Sequence, residues 1–447
     1  MDIALIKRHV DDRPEEGIFR VHRDVFSDPE IFELEQRFIF ERTWSFLGLE
    51  SQIREPRDFL TTWIGRTPVL LTRNDEGRVH GFINVCRHKA VLLCPDEAGN
   101  AGVHVCPYHG WSYDTNGRNV HVKNSQSACY PPAFEAASHN LLPLARLHSY
   151  RGFVFGSLSA AVPDLEQFLG DMRVFLDLMA DQGPQGIEVV PGRSIYTFRA
   201  NWKLQLDNGI DPYHLTSTHA SFLDVQAVRR KGQGNIESRS FDWRKRDDFA
   251  GGAFNLGHGH SAIWLNQPEP EKRPIAPAID EIRARVGDLR ANWMLNGRNL
   301  QIFPNMQIAD AISPMLRTFR PLSVDRTEMR AWCLAPIGES RELRAWRLRQ
   351  FEDFFNPGGM ATPDDTVVYE DAQRGMSAHG LDYLQGYSRG IGALMDGASP
   401  AARSLGMSPH SSVEGRYDMY SEIAFHSPYR EWSRLIEAGL AGRGAYE

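Results

Sequence analysis

The chain has 447 residues, 42% apolar and 24% charged; this exceeds one ordinary core and suits two or three globular domains, not a small module, a disordered chain or a fibre. A formal net charge of −7 gives no general attraction to phosphate backbones or anionic lipid, so neither nucleic acid nor a membrane is an expected partner. The first residues lack an apolar stretch behind Lys7 and Arg8, no later run approaches ~18 apolar residues, and five cysteines are too few for a disulfide framework; a cytoplasmic chain whose clustered cysteines bind metal is expected.

No internal repeat or low-complexity tract interrupts the sequence. Residues 29 to 47 mix Phe32, Leu34, Phe38, Ile39 and Trp44 with charged residues at near-helical spacing, which predicts a helix. From Phe59 to about Leu158, short runs such as Val69–Thr72 and Gly152–Gly156 alternate with Asn-Asp-Glu-Gly and Thr-Asn-Gly turns, as small antiparallel sheets require. Beyond Pro163 the pattern is α+β: helices over Leu165–Met179 and Arg341–Phe355, strands over Ser194–Arg199 and Met329–Leu334. A loop is predicted over 397–413. A last helix follows, with Ser427 as N-cap, Pro428 in the first turn, Trp432, Leu435 and Ile436 on one face and Gly439 past its end.

Cys86-Arg87-His88 and Cys106-Pro107-Tyr108-His109 form the pattern C-x-H, seventeen residues, C-x2-H. Each half brings one thiolate and one imidazole to a loop tip. Two such loops suit a [2Fe–2S] cluster with thiolates on one iron and histidines on the other, a ligation that raises the potential above that of an all-cysteine ferredoxin. Structural zinc is the competing occupant, but its fingers usually pair Cys with Cys and His with His. Cys94, Cys129 and Cys333 lie outside the pattern and are read as core or surface thiols.

The stretch from Asn201 to His219 carries Asp207, Asn208, Asp211, His214 and His219. Residues five apart stand about 140° apart on an ideal helix, so His214 and His219 need a helix end or a widened turn to converge. With a carboxylate from elsewhere they would form a two-His, one-carboxylate triad that leaves open positions on Fe(II). In the segment Phe355 to Asp365, spacing makes Asp364 and Asp365 equally good donors. His258 and His260 are read as solvated loop residues, Trp202 and Tyr213 as core aromatics that could also line a pocket. Arg298, Asn299 and Gln301 are candidates for holding a substrate carboxylate, with exposed solvating roles favoured.

Cys-Pro-Tyr-His-Gly-Trp at 106–111, Tyr150–Gly156, the Asp211/His214/His219 element and Met360–Asp365 together resemble the large subunit of Rieske non-haem iron aromatic-ring-hydroxylating oxygenases, nearest to the benzoate and anthranilate dioxygenase branch. The likeness runs from about Gly17 to Gly375. The family pattern has Arg-Gly after the first histidine and Glu-Asn before the aspartate; here Lys89-Ala90 and Asp207-Asn208 stand there. The resemblance implies an α+β chain: an N-terminal helical segment over 1–40, an all-β Rieske domain over 41–158 and a helix-grip catalytic domain over 159–447. It implies Cys86, His88, Cys106 and His109 on the cluster, and His214, His219 and Asp365 on Fe(II). Asp211 would be the catalytic bridge between a neighbour's His109 and His214, although Pro212 also suits Asp211 to a helix N-cap. Asp207, Asn208 and Phe355 are expected near substrate. Dioxygen would be co-substrate, and NADH would supply electrons through a flavin reductase and perhaps a ferredoxin. A homotrimer is implied, or α3β3 with a small β-subunit, yielding a cis-diol from benzoate, or a catechol from anthranilate or salicylate. A Rieske monooxygenase or demethylase is the nearest alternative. A simple electron carrier lacks the second histidine element.

Overall fold

A computed structural model describes residues 3–232, 242, 244, 249–267, 269–416 and 422–446. The chain divides into two compact units, one of residues 40–162 and one of residues 1–39 with 163–447.

The unit of residues 40–162 is built from three small antiparallel sheets. One orders the strands Val79–Ile83, Thr67–Arg73, Asp58–Ile64 and Ala98–Asn100; a second orders Asn119–His121, Ser112–Asp114 and Val103–Val105; the third orders Arg146–Tyr150, Phe153–Ser157 and Ser45–Leu49. Short strands between tight turns cannot bury much surface singly, so two clusters share the core. Ile53, Ile64, Val69, Leu71 and Val154 fill one; Phe59, Leu70, Trp111 and Tyr113 fill the other, which also takes in Cys86 and Cys106.

In the larger unit, a ten-stranded antiparallel sheet runs Ile187–Val189, Arg326–Pro336, Met315–Ser323, Met306–Asp310, Gly297–Ile302, Ser261–Leu265, Ala250–Asn255, Ser411–Arg416 and Met395–Asp396, with Ser194–Phe198 also paired to Arg326–Pro336. Alternation along these strands decides which side chains meet the helices. Ile263 pairs with Asn299 and Asn299 with Ala309, while Gln301 pairs with Gln307 and Gln307 with Arg317; all of these share one face. That face meets the helix Trp202–Gly209: Gln307 Nε2 donates to Leu206 O at 2.9 Å and Asn299 Nδ2 to Gly209 O at 3.1 Å. A Cβ on Gly209 would lie 2.1 Å from the Gln307 amide, so only glycine allows the close approach.

Several expectations are corrected. The helix predicted over 29–47 ends at Glu35, capped at its start by the Asp28 side chain, and passes through a π-turn over Gln36–Phe40 before the strand Ser45–Leu49. The N-terminal segment holds the hairpin Val10–Arg13 and Ile18–His22 besides its helices. Gly170, at φ 50°, breaks 165–179 into Leu165–Leu169 and Met172–Ala180. The last helix is His426–Leu440, so Ser427 is not its cap; its hydroxyl donates instead to Leu256 O at 2.6 Å. Gly439 lies inside that helix because a Cβ there would sit 2.3 Å from the Phe38 ring. The 397–413 loop contains the short helix Pro400–Ser404. His260 is no solvated loop residue: it is fully buried, with Nδ1 facing the Phe303 amide and Nε2 the Phe168 carbonyl. Among the described residues no helix is long and apolar enough to cross a membrane.

Candidate metal centres and substrate pocket

The two cysteine–histidine loops have the same backbone. In one, Cys86 N donates to Val91 O at 2.8 Å and Ala90 N to Cys86 O at 3.0 Å; in the other, Cys106 N donates to Trp111 O at 2.8 Å and Gly110 N to Cys106 O at 3.0 Å. Ala90 and Gly110 both take positive φ, 56° and 73°, a conformation that suits glycine and strains alanine. The loops bring His88 Nδ1 within 3.1 Å of His109 Nδ1. Both sulfurs are buried, and Cys86 Sγ lies 3.4 Å from the Tyr113 hydroxyl. His88 stacks on Trp111 at 5.0 Å between centroids. Two buried sulfurs and two converging imidazoles are the donor set a histidine-ligated [2Fe–2S] cluster needs. Cys94 is buried in the same core cluster, Cys333 is buried in the larger unit, and Cys129 is exposed.

The second centre forms where the helix breaks. His214 precedes the short helix Leu215–Thr218, and His219, at φ −101° and ψ 35°, separates it from Ala220–Arg230. This break gives the two rings the convergence that a continuous helix denies them. His214 Nε2 and His219 Nε2 are 3.2 Å apart, and Asp365 Oδ1 is 3.5 Å from the first and 3.3 Å from the second. Such a triangle accommodates one ion about 2.1 Å from each donor. Pro363 starts the helix Thr362–Gly375 and turns Asp365 inward, nine-tenths buried. Asp364 faces outward, with Oδ2 3.5 Å from His219 Nδ1.

Asp211 Oδ2 lies 3.2 Å from His214 Nδ1, and its Oδ1 accepts from Tyr213 N at 2.7 Å. Asp211 therefore closes an Asx turn and does not cap a helix. Burial alone would depress the His214 imidazole, but the Asp211 hydrogen bond and the Asp211 and Asp365 charges outweigh it and raise its pKa. Burial likewise pushes the Asp365 carboxyl up, yet the His219 hydrogen bond, both imidazoles and Arg317 together hold it below the usual carboxylate range.

A cleft opens onto this triangle, walled by Leu215, Ile263, Leu265, Ile312, Phe354 and Phe355 and edged by Asn208, Asn299 and Arg317. Mostly apolar walls with a few polar groups converging on them are the usual lining of a small-molecule site. Phe355 and Asn208 both line this cleft, and Asn208 is turned to the triangle: Nδ2 donates to Asp365 Oδ1 at 3.0 Å and lies 3.2 Å from His214 Nε2. Asp207 points away from the cleft. Its Oδ2 accepts from the buried Tyr387 and Tyr429 hydroxyls, each at 3.0 Å. Trp202 is core, and Tyr213 is half-exposed under the Arg389 guanidinium. Arg298 and Gln301 are buried, contrary to the solvated roles favoured for them. Arg317, which no motif marks, was missed by sequence reasoning; its strand, Met315–Ser323, also carries Thr318, Arg320 and Ser323, so nothing local singles it out.

The fold and the two centres define the class, an oxygenase subunit with one site for a Rieske cluster and one for mononuclear iron. Residues 43–135 match the Rieske [2Fe-2S] domain and residues 186–436 the ring hydroxylating alpha subunit catalytic domain. The chain is 38% identical over 440 residues to toluate 1,2-dioxygenase subunit alpha of Pseudomonas putida, covering 96% of each. It is 40% identical to the 2-halobenzoate 1,2-dioxygenase large subunit of Burkholderia cepacia, covering 98% of this chain and 93% of that one. Naphthalene 1,2-dioxygenase from Rhodococcus sp., solved with indole bound, superposes with a TM-score of 0.82 at 25% identity over 98% of both chains. The chain belongs to the family of ring-hydroxylating dioxygenase large subunits. It is an oxidoreductase that uses a Rieske cluster, mononuclear iron and dioxygen, with electrons from NADH delivered through a reductase.

Proposed function

We propose that this subunit adds both atoms of dioxygen to the ring of an aromatic carboxylate, giving a cis-diol, with benzoate, anthranilate or salicylate as the substrate type. The observation that carries the reading is the buried triangle of His214, His219 and Asp365 opening onto an apolar cleft that also presents a guanidinium. Its curated relatives, toluate and 2-halobenzoate dioxygenases, are named for substrates of this class.

Cys86, His88, Cys106 and His109 would hold the cluster, and His214, His219 and Asp365 the Fe(II). When bound, the cluster supplies electrons singly, and the iron supplies adjacent open positions for dioxygen beside substrate. The residues set the rest. Asp211 would accept a hydrogen bond from the Nδ1–H of His214, which fixes the tautomer and leaves the Nε2 lone pair to hold the metal. Leu215, Ile263, Phe354 and Phe355 exclude water from the reacting ring. Asp211 would carry the further contact to a neighbour's His109, in a cytoplasmic homotrimer or α3β3 assembly.

Protein purified anaerobically should hold about three irons per chain and show, after dithionite reduction, the low average g of a histidine-ligated cluster. With ¹⁸O₂ and benzoate or anthranilate, two labelled atoms in the diol or catechol are expected. One labelled hydroxyl, or released formaldehyde, would instead establish a monooxygenase or demethylase.

A further inference from the structure

We propose that Arg317 binds the carboxylate of the aromatic substrate and so sets the ring's position in the cleft. The proposal rests on the aromatic-carboxylate reading above and deepens it.

Strand register separates the two arginines beside the cleft. Arg298 pairs with Trp264 and Asp310, on the face opposite Asn299, and its guanidinium is ion-paired with Asp310. Arg317 shares the face of Gln307 and Asn299, the face against the helix Trp202–Gly209. It is 7% exposed and edges the cleft.

The partners of Arg317 are neutral. Its Nε donates to Gln307 Oε1 at 2.9 Å, and the Gln205 amide lies against the guanidinium, 2.9 Å from Nη2. Among the described residues no carboxylate oxygen comes within ion-pairing distance of it; the buried Arg273, Arg298 and Arg347 all have one. A buried charge without a counter-ion is costly, and amides offset only part of that cost. Asp365 contributes a longer-range attraction, but its charge is committed to the metal. Fe(II) held there would be balanced by Asp365 and by Asp211, which also lines the cleft, so Arg317 leaves one positive charge in excess. An anionic ligand in this cleft meets that excess, and a planar guanidinium matches a carboxylate's two oxygens in a way a point charge does not. Leu215, Ile263, Leu265, Ile312, Phe354 and Phe355 supply the apolar walls that an aromatic ring requires.

The test is equilibrium binding of benzoate and of benzamide, its neutral counterpart of similar shape, to the iron-loaded holoenzyme under anaerobic conditions. Arg317→Met should weaken benzoate binding roughly 10- to 100-fold, leave benzamide within about threefold, and retain the iron content and cluster absorption. Arg317→Lys should fall between wild type and Arg317→Met for benzoate alone, and it decides the matter should Arg317→Met fail to fold. Unchanged benzoate affinity, or equal loss of both ligands with the metals intact, would overturn the proposal while leaving the carboxylate reading standing. A wild-type enzyme that binds no aromatic carboxylate would sink both.

Discussion

Asp364 and Asp365 show how one residue decides a site. In sequence they are equivalent, and only the resemblance favours the second. The structure supplies a physical distinction: Pro363 fixes the start of a helix, and on that helix successive residues point about 100° apart, so only Asp365 turns inward to the two imidazoles. Asp365→Asn, of equal size, should lose the mononuclear iron and keep the cluster, leaving about two irons per chain. Asp364→Asn should retain all of it, with a modest loss of activity from a less firmly held His219. Metal analysis of the two variants checks this, and iron loss from Asp364→Asn alone would reverse the assignment. The two converging cysteine–histidine loops were legible because each Cys–His pair is local in sequence. Arg317 was not, because only the packing of its sheet on the helix Trp202–Gly209, far earlier in the chain, brings it to the cleft.

That helix is held at both ends of its length by buried polar contacts. Glu35 accepts from Trp202 Nε1 at 2.8 Å, from Trp432 Nε1 at 2.6 Å and from Lys203, joining the N-terminal segment and the last helix to its first turn. Asp207, nearer the other end, meets Tyr387 and Tyr429. None of these partners could be read from spacing, since they lie up to hundreds of residues apart and obey no local period. Burial is the main influence on Asp207 and pushes its carboxyl up to about 8, against 3.8 in an unfolded chain. Between those values the folded state holds the extra proton, so stability should decline as pH rises through this window and level off above it. Asp207→Asn, which cannot ionise, should flatten that decline. Thermal unfolding of both proteins between about pH 6 and pH 9 measures it: a wild-type Tm that falls more steeply than the variant's is expected, and parallel curves would show that Asp207 does not titrate in this range.

For the whole molecule, the order of the motifs gave the order of the two chemistries, cluster first and iron second, because each motif is compact. The wider architecture was less legible. His22 pairs with Tyr383 through a strand of only two residues, too short for any period to announce it. The proposed assembly has an electron leave one chain's cluster for another chain's iron, with Asp211 as the junction. A symmetric ring of three subunits would make each such junction heterologous: one chain would give its His109 face and receive at its Asp211 face. Two inactive variants should then rescue one another. Cys106→Ala removes the cluster and leaves the iron, whereas His214→Ala does the reverse. Co-expressed in equal amounts, they should recover up to about a quarter of wild-type turnover, since a working junction needs an iron-competent chain beside a cluster-competent one in a single rotational sense. Each variant alone should stay inactive. If the electron passed within one chain, no mixed assembly would contain a complete path, and the co-expressed protein would be as silent as its parts.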